Sequence, residues 1–309
     1  MKRLLIVAAL AATAAAVLAL QAGGAATAAH GGRVPASAAK LPKLPPLPAD
    51  VKARKRWVIG VKCDFSPFGY IDAQGHNAGY DVEIARQFAQ LAFGKLNRVN
   101  FVCVTTPSRI PALQSKRVDI IVSTLTWTKA RADVIDFSIP YYGATGRLLV
   151  NKSSSIQSIK DLSGKTVVTT RGALYSPWTK LCVKGASLSE VDSPGAAVLA
   201  VKNGQADTFM FDDAYLLGVV TQDRDTRLTK DKFLQIPWGI GIRKGETSMK
   251  TWVDAALRRL QARDFFYKVA LKKNAPKSLL DDFAPNVPRP GKSLRYPEDR
   301  DAATDCTVS

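Results

Sequence analysis

The chain has 309 residues, 46% of them hydrophobic and 23% charged, enough apolar material for one large globular domain or two of ordinary size. Its formal charge of +18 raises nucleic acid as a partner, but the positive residues are scattered apart from Lys52, Arg54, Lys55 and Arg56. No helix carries a basic stripe interleaved with aromatics, so nucleic acid is set aside and the positive field points to an anionic ligand or an acidic surface.

In chain order, MKRLLIVAALAATAAAVLAL reads as a secretory signal peptide: Lys2 and Arg3 precede an apolar run, and an A-x-A pattern at Ala26-Thr27-Ala28 places cleavage near Ala28 or Ala29. The alternative is an uncleaved membrane anchor. Residues 30–52 are rich in Pro, Ala and Gly and read as a disordered tether. RWVIGV (56–61) is a short apolar strand. DVEIARQFAQLAF (81–93) puts Ile84, Phe88, Leu91 and Ala92 on one helical face, and Gly94 is the stop. Then follow a strand in NFVCVT, a short helix in IPALQSK and a strand in VDIIVST. Beyond Tyr142 the pattern restarts with strands in GRLLVN and KTVVTT, and a helix that Ser193 caps and Pro194 opens. After Gly204 comes another strand. The second block echoes the first: helix, turn, an aspartate (Asp119 or Asp207), then a strand. IPWGIGIR (236–243) reads as a returning strand and residues 251–271 as one long helix, so the chain crosses between two α/β lobes near Gly146 and near Pro237. The expected division is lobe 1 at 53–146 plus 238–283, lobe 2 at 147–237, and an irregular C-terminal tail at 284–309.

Catalytic equipment is sparse. The histidines are His30 and His76, and no G-x-S-x-G, H-E-x-x-H, G-x-G-x-x-G or Walker sequence occurs, which argues against an enzyme and implies no cofactor. The four cysteines lack the close spacing of metal ligands, so no metal site is expected. After export, disulfides are permitted. Cys63 and Cys103 pair if their strands are neighbours; otherwise they are buried thiols, and spacing leaves Cys182 and Cys306 open too. Polar residues gather where strands end: Lys62, Asp64 and Phe65 after the first, Arg109 before the next helix, Ser123, Thr124, Thr126 and Arg131 after the third, Asp212 and Asp213 in the second lobe. Ligands of open α/β sheets bind at such ends.

Five segments in order, from VIGVKCDFSPFGYIDAQGHNAGYDVEIARQFA through SRIPALQSKRVDIIVSTLTWTKARADVIDFSIPYY, LSGKTVVTTRGA and DSPGAAVLAVKNGQADTFMFDD to WGIGIRKG, resemble the polar amino acid (family 3) periplasmic solute-binding proteins of ABC transporters. The resemblance covers about Arg56 to Lys272. It implies an α/β, two-lobed periplasmic-binding-protein type II fold with two crossover strands as hinge. A monomer, periplasmic or secreted, would then capture an L-amino acid and deliver it to a membrane permease. By the same resemblance Arg131 pairs with the ligand α-carboxylate, Thr124 and Thr126 complete that pocket, Asp212 receives the α-ammonium, Phe65 covers the ligand, and backbone from Thr170 to Leu174 contributes from lobe 2. Lys62 stands where binders of basic amino acids and glutamine carry aspartate, and Arg109 matches an arginine of glutamate and aspartate binders; together they imply an acidic ligand. Two departures stand out: Arg171 to Tyr175 replaces the usual Gly-Thr-Thr, and Asp64 beside Lys62 leaves a neutral polar ligand open. The rival reading is a cyclohexadienyl dehydratase-like enzyme on the same scaffold.

Overall fold

The computed structural model describes residues 41–297, 301 and 303–309. The signal-peptide reading of residues 1–29 and the first part of the tether lie outside the described residues. The last part of the tether is a short helix, α1 (Ala49–Arg54), entered through Pro48. It forms because Val51 is fully buried in the hydrophobic core and Arg54 reaches Asp119, so tertiary contacts override an irregular composition.

Lobe 1 begins with β1 (Trp57–Val61), followed by a small antiparallel sheet of β2 (Asp64–Phe65), β3 (Gly69–Ile71) and β4 (Asn77–Ala78). Helix α2 (Tyr80–Phe93) buries Ile84, Ala85 and Phe88 and ends at Gly94 in the left-handed conformation. Strands β5 (Val99–Cys103) and β6 (Ile120–Ile121) flank β1 in parallel, with α3 (Arg109–Gln114) between them in sequence. After α4 (Lys129–Val134) comes β7 (Ile135–Phe137) at the sheet edge. Lobe 2 is a second sheet, ordered β10-β9-β11-β8-β12. Its members are β8 (Tyr142–Asn151), β9 (Thr166–Thr170), β10 (Ser187–Val191), β11 (Thr208–Asp212) and β12 (Thr226–Leu228), and β13 (Phe233–Trp238) also pairs with β8. Helices α5 (Tyr175–Cys182), α6 (Pro194–Lys202) and α7 (Asp213–Gln222) cover it. Ser193 caps α6 by accepting the Ala196 amide, as its Ser-Pro start predicts. The predicted single strand 236–243 divides instead, because β14 (Gly241–Arg243) pairs back into the lobe 1 sheet.

The echo between the blocks has a physical basis. Asp119 accepts the Val58 amide at 2.8 Å, and Asp207 accepts the Thr166 amide at 2.7 Å, so each carboxylate ties the turn before one strand to the start of its neighbour. The chain passes between lobes at Ser138–Tyr141 and again at Gly239–Ile240, joined by the Ser138 amide on Ile240 O and the Tyr141 amide on Trp238 O. The first passage precedes Gly146, since β8 already pairs with β13 from Tyr142. The predicted helix 251–271 also divides: α8 (Thr247–Ala262) ends before Asp264, whose φ of 56° breaks the helix. Both cysteine pairs are disulfides. Cys103 stands opposite Val61 in the β1–β5 register, which brings it within reach of Cys63.

Candidate functional site

A small cavity opens where the two lobes meet. Lobe 1 lines it with Thr106, Arg109, Thr124 and Thr126, and lobe 2 with Ala173, Leu174, Tyr175, Phe211 and Asp212. Thr106 follows β5, Arg109 starts α3, Thr124 and Thr126 follow β6, Leu174 precedes α5, and Asp212 closes β11. Strand ends therefore deliver donors from one side and a carboxylate from the other.

Arg109 is almost fully buried, and one of its guanidinium nitrogens donates to Ser123 O at 2.7 Å and Thr124 O at 3.1 Å. Burial, reinforced by the charge of Arg131, brings its pKa down to about 9. Arg131 is half-buried and donates to Thr126 O at 2.8 Å and, across the gap, to Gly172 O at 3.0 Å. Its pKa also falls, to about 10, chiefly through burial. Among the described residues neither guanidinium has a carboxylate ion-pair partner. Thr124 holds a left-handed φ of 48°, which is strained for a β-branched residue. Its amide is anchored by Asp81 Oδ2 at 2.9 Å and the Tyr141 hydroxyl at 3.1 Å. Asp81 is fully buried, and burial pushes its carboxyl to about 7.

Asp212 occupies the N-cap position of α7 but makes no capping bond with its side chain. Asp213, the next residue, instead accepts the amide and the hydroxyl of Thr145 with its carboxylate. The Asp212 side chain is thus left for the cavity, where Tyr175 donates its hydroxyl to Oδ1 at 2.6 Å. Burial raises the Asp212 carboxyl to about 7, opposed by the Tyr175 bond and by Arg109 and Arg131.

Lys62 is only 1% exposed and lies beside the cavity lining rather than in it. Its Nζ contacts Asp64 at 2.9 Å and Thr106 Oγ1 at 3.2 Å, and burial lowers its pKa against the pull of Asp64. Phe65 does not line the cavity either. It packs on Phe211 and Tyr215 of lobe 2 and edge-on to Trp238, forming an aromatic wall between the lobes. Thr170 is fully buried with its hydroxyl unpaired, at the end of β9 below Gly172. Gly172 has a φ of 73°, and a Cβ there would come within 3.1 Å of Pro107 Cα, so lobe-to-lobe contact here depends on the missing side chain.

Sequence reasoning passed over Thr106, Asp81 and Tyr141, and met Tyr175 only as the end of a departure from the usual Gly-Thr-Thr. The departure at Arg171–Tyr175 was the available signal for Tyr175, whose role depends on α5 aiming its first side chain at β11. Asp81 gave none, since an acid in the first turn of a helix is ordinary.

Two α/β lobes closing on a site to which both contribute define a two-lobed solute-binding protein of the type II periplasmic fold. Residues 57–272 match the bacterial extracellular solute-binding proteins, family 3, and the chain belongs to that family. It is 33% identical over 231 residues to the ABC transporter glutamine-binding protein GlnH of Bacillus subtilis, covering 73% of this chain and 85% of that protein. The L-glutamate/L-aspartate-binding protein of Pseudomonas aeruginosa is 28% identical over 75% of this chain and 78% of its own. Among solved structures, the cysteine-binding protein from Campylobacter jejuni superposes with a TM-score of 0.69 at 29% identity, covering 75% of this chain and 96% of that one.

Proposed function

We propose that this protein captures an L-amino acid between its lobes outside the cytoplasm and presents it to the permease of an ABC transporter, by binding and not by catalysis, as a monomer. The ligand is an acidic amino acid, glutamate or aspartate. Arg131 receives the α-carboxylate with Thr124, Thr126 and the backbone of Thr170–Leu174 around it, and Asp212 receives the α-ammonium. Arg109, backed by Lys62, meets the side-chain carboxylate, and Phe65 closes the aromatic wall. The observation carrying this reading is the charge at the cleft. Lys62, Arg109 and Arg131 face two carboxylates, Asp64 and Asp212, while Asp81 is engaged behind Thr124. An anionic amino acid restores balance, and the guanidinium fork suits carboxylates.

A second reading, a neutral amide ligand such as glutamine, is favoured by the Lys62–Asp64 contact at 2.9 Å, which occupies Lys62 and leaves Arg109, itself bonded to Ser123 O and Thr124 O, to meet a side-chain carboxylate alone. A thermal-shift screen of the purified chain against the twenty amino acids, followed by calorimetry on hits, separates them, because a ligand that binds only the folded state stabilises by mass action. Glutamate or aspartate should give the largest shift. A dominant shift with glutamine supports the second reading, and one with lysine or arginine, or turnover of prephenate without any amino acid response, overturns both.

A further inference from the structure

The C-terminal segment, expected to be irregular, leaves lobe 1 and is bolted into lobe 2. On lobe 1, Arg289 makes two bonds to Asp264, at 2.6 and 3.0 Å, and lies over the Tyr267 ring. Farther on, the Tyr296 ring stacks on Trp127 at 5.4 Å, and its hydroxyl donates to Ser138 O at 2.7 Å, at the first passage between lobes. A Cβ at Gly239, in the other passage, would collide with that hydroxyl, so the passage has a slot for this side chain. On lobe 2, Cys306 is disulfide-bonded to Cys182 at the end of α5, and Trp178 of the same helix donates to Asp305 O at 2.9 Å. Val308 bridges Phe233, and Lys232 and Ser309 exchange backbone bonds at 2.8 Å. Between these anchors Ala303 lines a second interlobe cavity together with Arg131 and Thr128 of lobe 1 and Gly172 and Pro177 of lobe 2.

We infer that the C-terminal tail, docked on lobe 1 through Arg289 and Tyr296 and on lobe 2 through Asp305 to Ser309, makes a third connection between the lobes, a covalently fastened strap that restrains cleft opening. Opening moves Arg131 away from Gly172. Ala303 lines the cavity beside that contact, so the motion draws its lobe 1 wall, Thr128 and Arg131, off Ala303, and the tail anchored at Tyr296 opposes the separation. The Cys182–Cys306 bond prevents the end from leaving lobe 2, so a detached strap stays at high local concentration and re-docks. The same bond holds the helix that carries Tyr175, the partner of Asp212. The two hinge passages alone set the path of closure, and the strap shifts the balance of open and closed states toward closed. This inference does not depend on which ligand binds.

The test uses the ligand-free full chain and three variants: Cys182→Ser/Cys306→Ser, Tyr296→Ala, and Trp127→Ala, which removes the stacking partner of Tyr296 without touching the disulfide. Small-angle scattering should show all three with a larger radius of gyration than the parent, with circular dichroism unchanged. A radius that stays at the parental value in folded Tyr296→Ala and Trp127→Ala proteins would overturn the strap, even if the cysteine variant expanded. In that case the disulfide is a clamp internal to lobe 2. If a variant fails to fold, the second lobe 1 variant supplies the same comparison.

Discussion

Replacing Arg131 by alanine probes the site most directly. Its guanidinium makes one bond within lobe 1, to Thr126 O at 2.8 Å, and one to lobe 2, at Gly172 O, 3.0 Å away. In the proposed complex the fork holds the α-carboxylate in two charge-assisted bonds, each worth about 1.5–3 kcal/mol. Arg131 is half-buried, so water can partly replace what is lost, and the lower half of the summed range applies, about 3–4 kcal/mol. That is roughly a 10²- to 10³-fold loss of affinity. Arg131→Lys keeps a charge but not the planar fork and should lose about half of that free energy. Isothermal calorimetry with the best ligand of the amino acid screen measures both, and the unliganded melting temperature controls for folding. Affinity within about threefold of the parent in a folded Arg131→Ala protein would refute the assignment of the α-carboxylate to this residue.

Asp212 should impose a pH dependence. Its folded pKa of about 7 lies above the ordinary carboxylate value, so between about pH 4 and 7 the folded protein holds a proton there that the unfolded chain lacks, and the resulting stabilisation, fully present below about pH 4, is lost as pH rises through 7. An ammonium ligand needs the carboxylate, so affinity should rise by up to about tenfold per pH unit below 7 and level off above it. Asp212→Asn should flatten the profile, whereas a profile unchanged in that variant would assign the proton elsewhere, with Asp81, also near 7, the first alternative. Gly172→Ala combines a left-handed φ with a Cβ 3.1 Å from Pro107 Cα. It should weaken binding by about 1–2 kcal/mol, roughly tenfold, by wedging the lobes apart; calorimetric affinity equal to the parent contradicts that contact. Cys63→Ser/Cys103→Ser opens a loop of 40 residues' separation and should lower unfolding stability by up to about 4 kcal/mol in urea titrations, with little effect on ligand choice.

Much of the architecture was legible because it rests on local rules. The α2 face and its Gly94 stop, the Ser193-Pro194 helix start and the parallel strands between helices all follow from periodicity and capping chemistry acting within one element. Boundaries failed where long-range packing outweighed local preference. The helix at Ala49–Arg54 forms because Val51 finds a core, and the 251–271 helix breaks at Asp264, which pairs with Arg289.

By itself the sequence determined the fold class, the two-lobed organisation, the family and the strand ends where chemistry collects, since each is carried by spacing or by residues close together in the chain. Tertiary structure alone decided which of those residues meet. Lys62 is paired with Asp64 and sits beside the cavity, Phe65 serves a wall between lobes, Tyr175 reaches Asp212, and the last residues are fastened to α5. The last three depend on distances between segments tens to more than a hundred residues apart, and the first on the exclusion of water that turns a nearby charge into a partner.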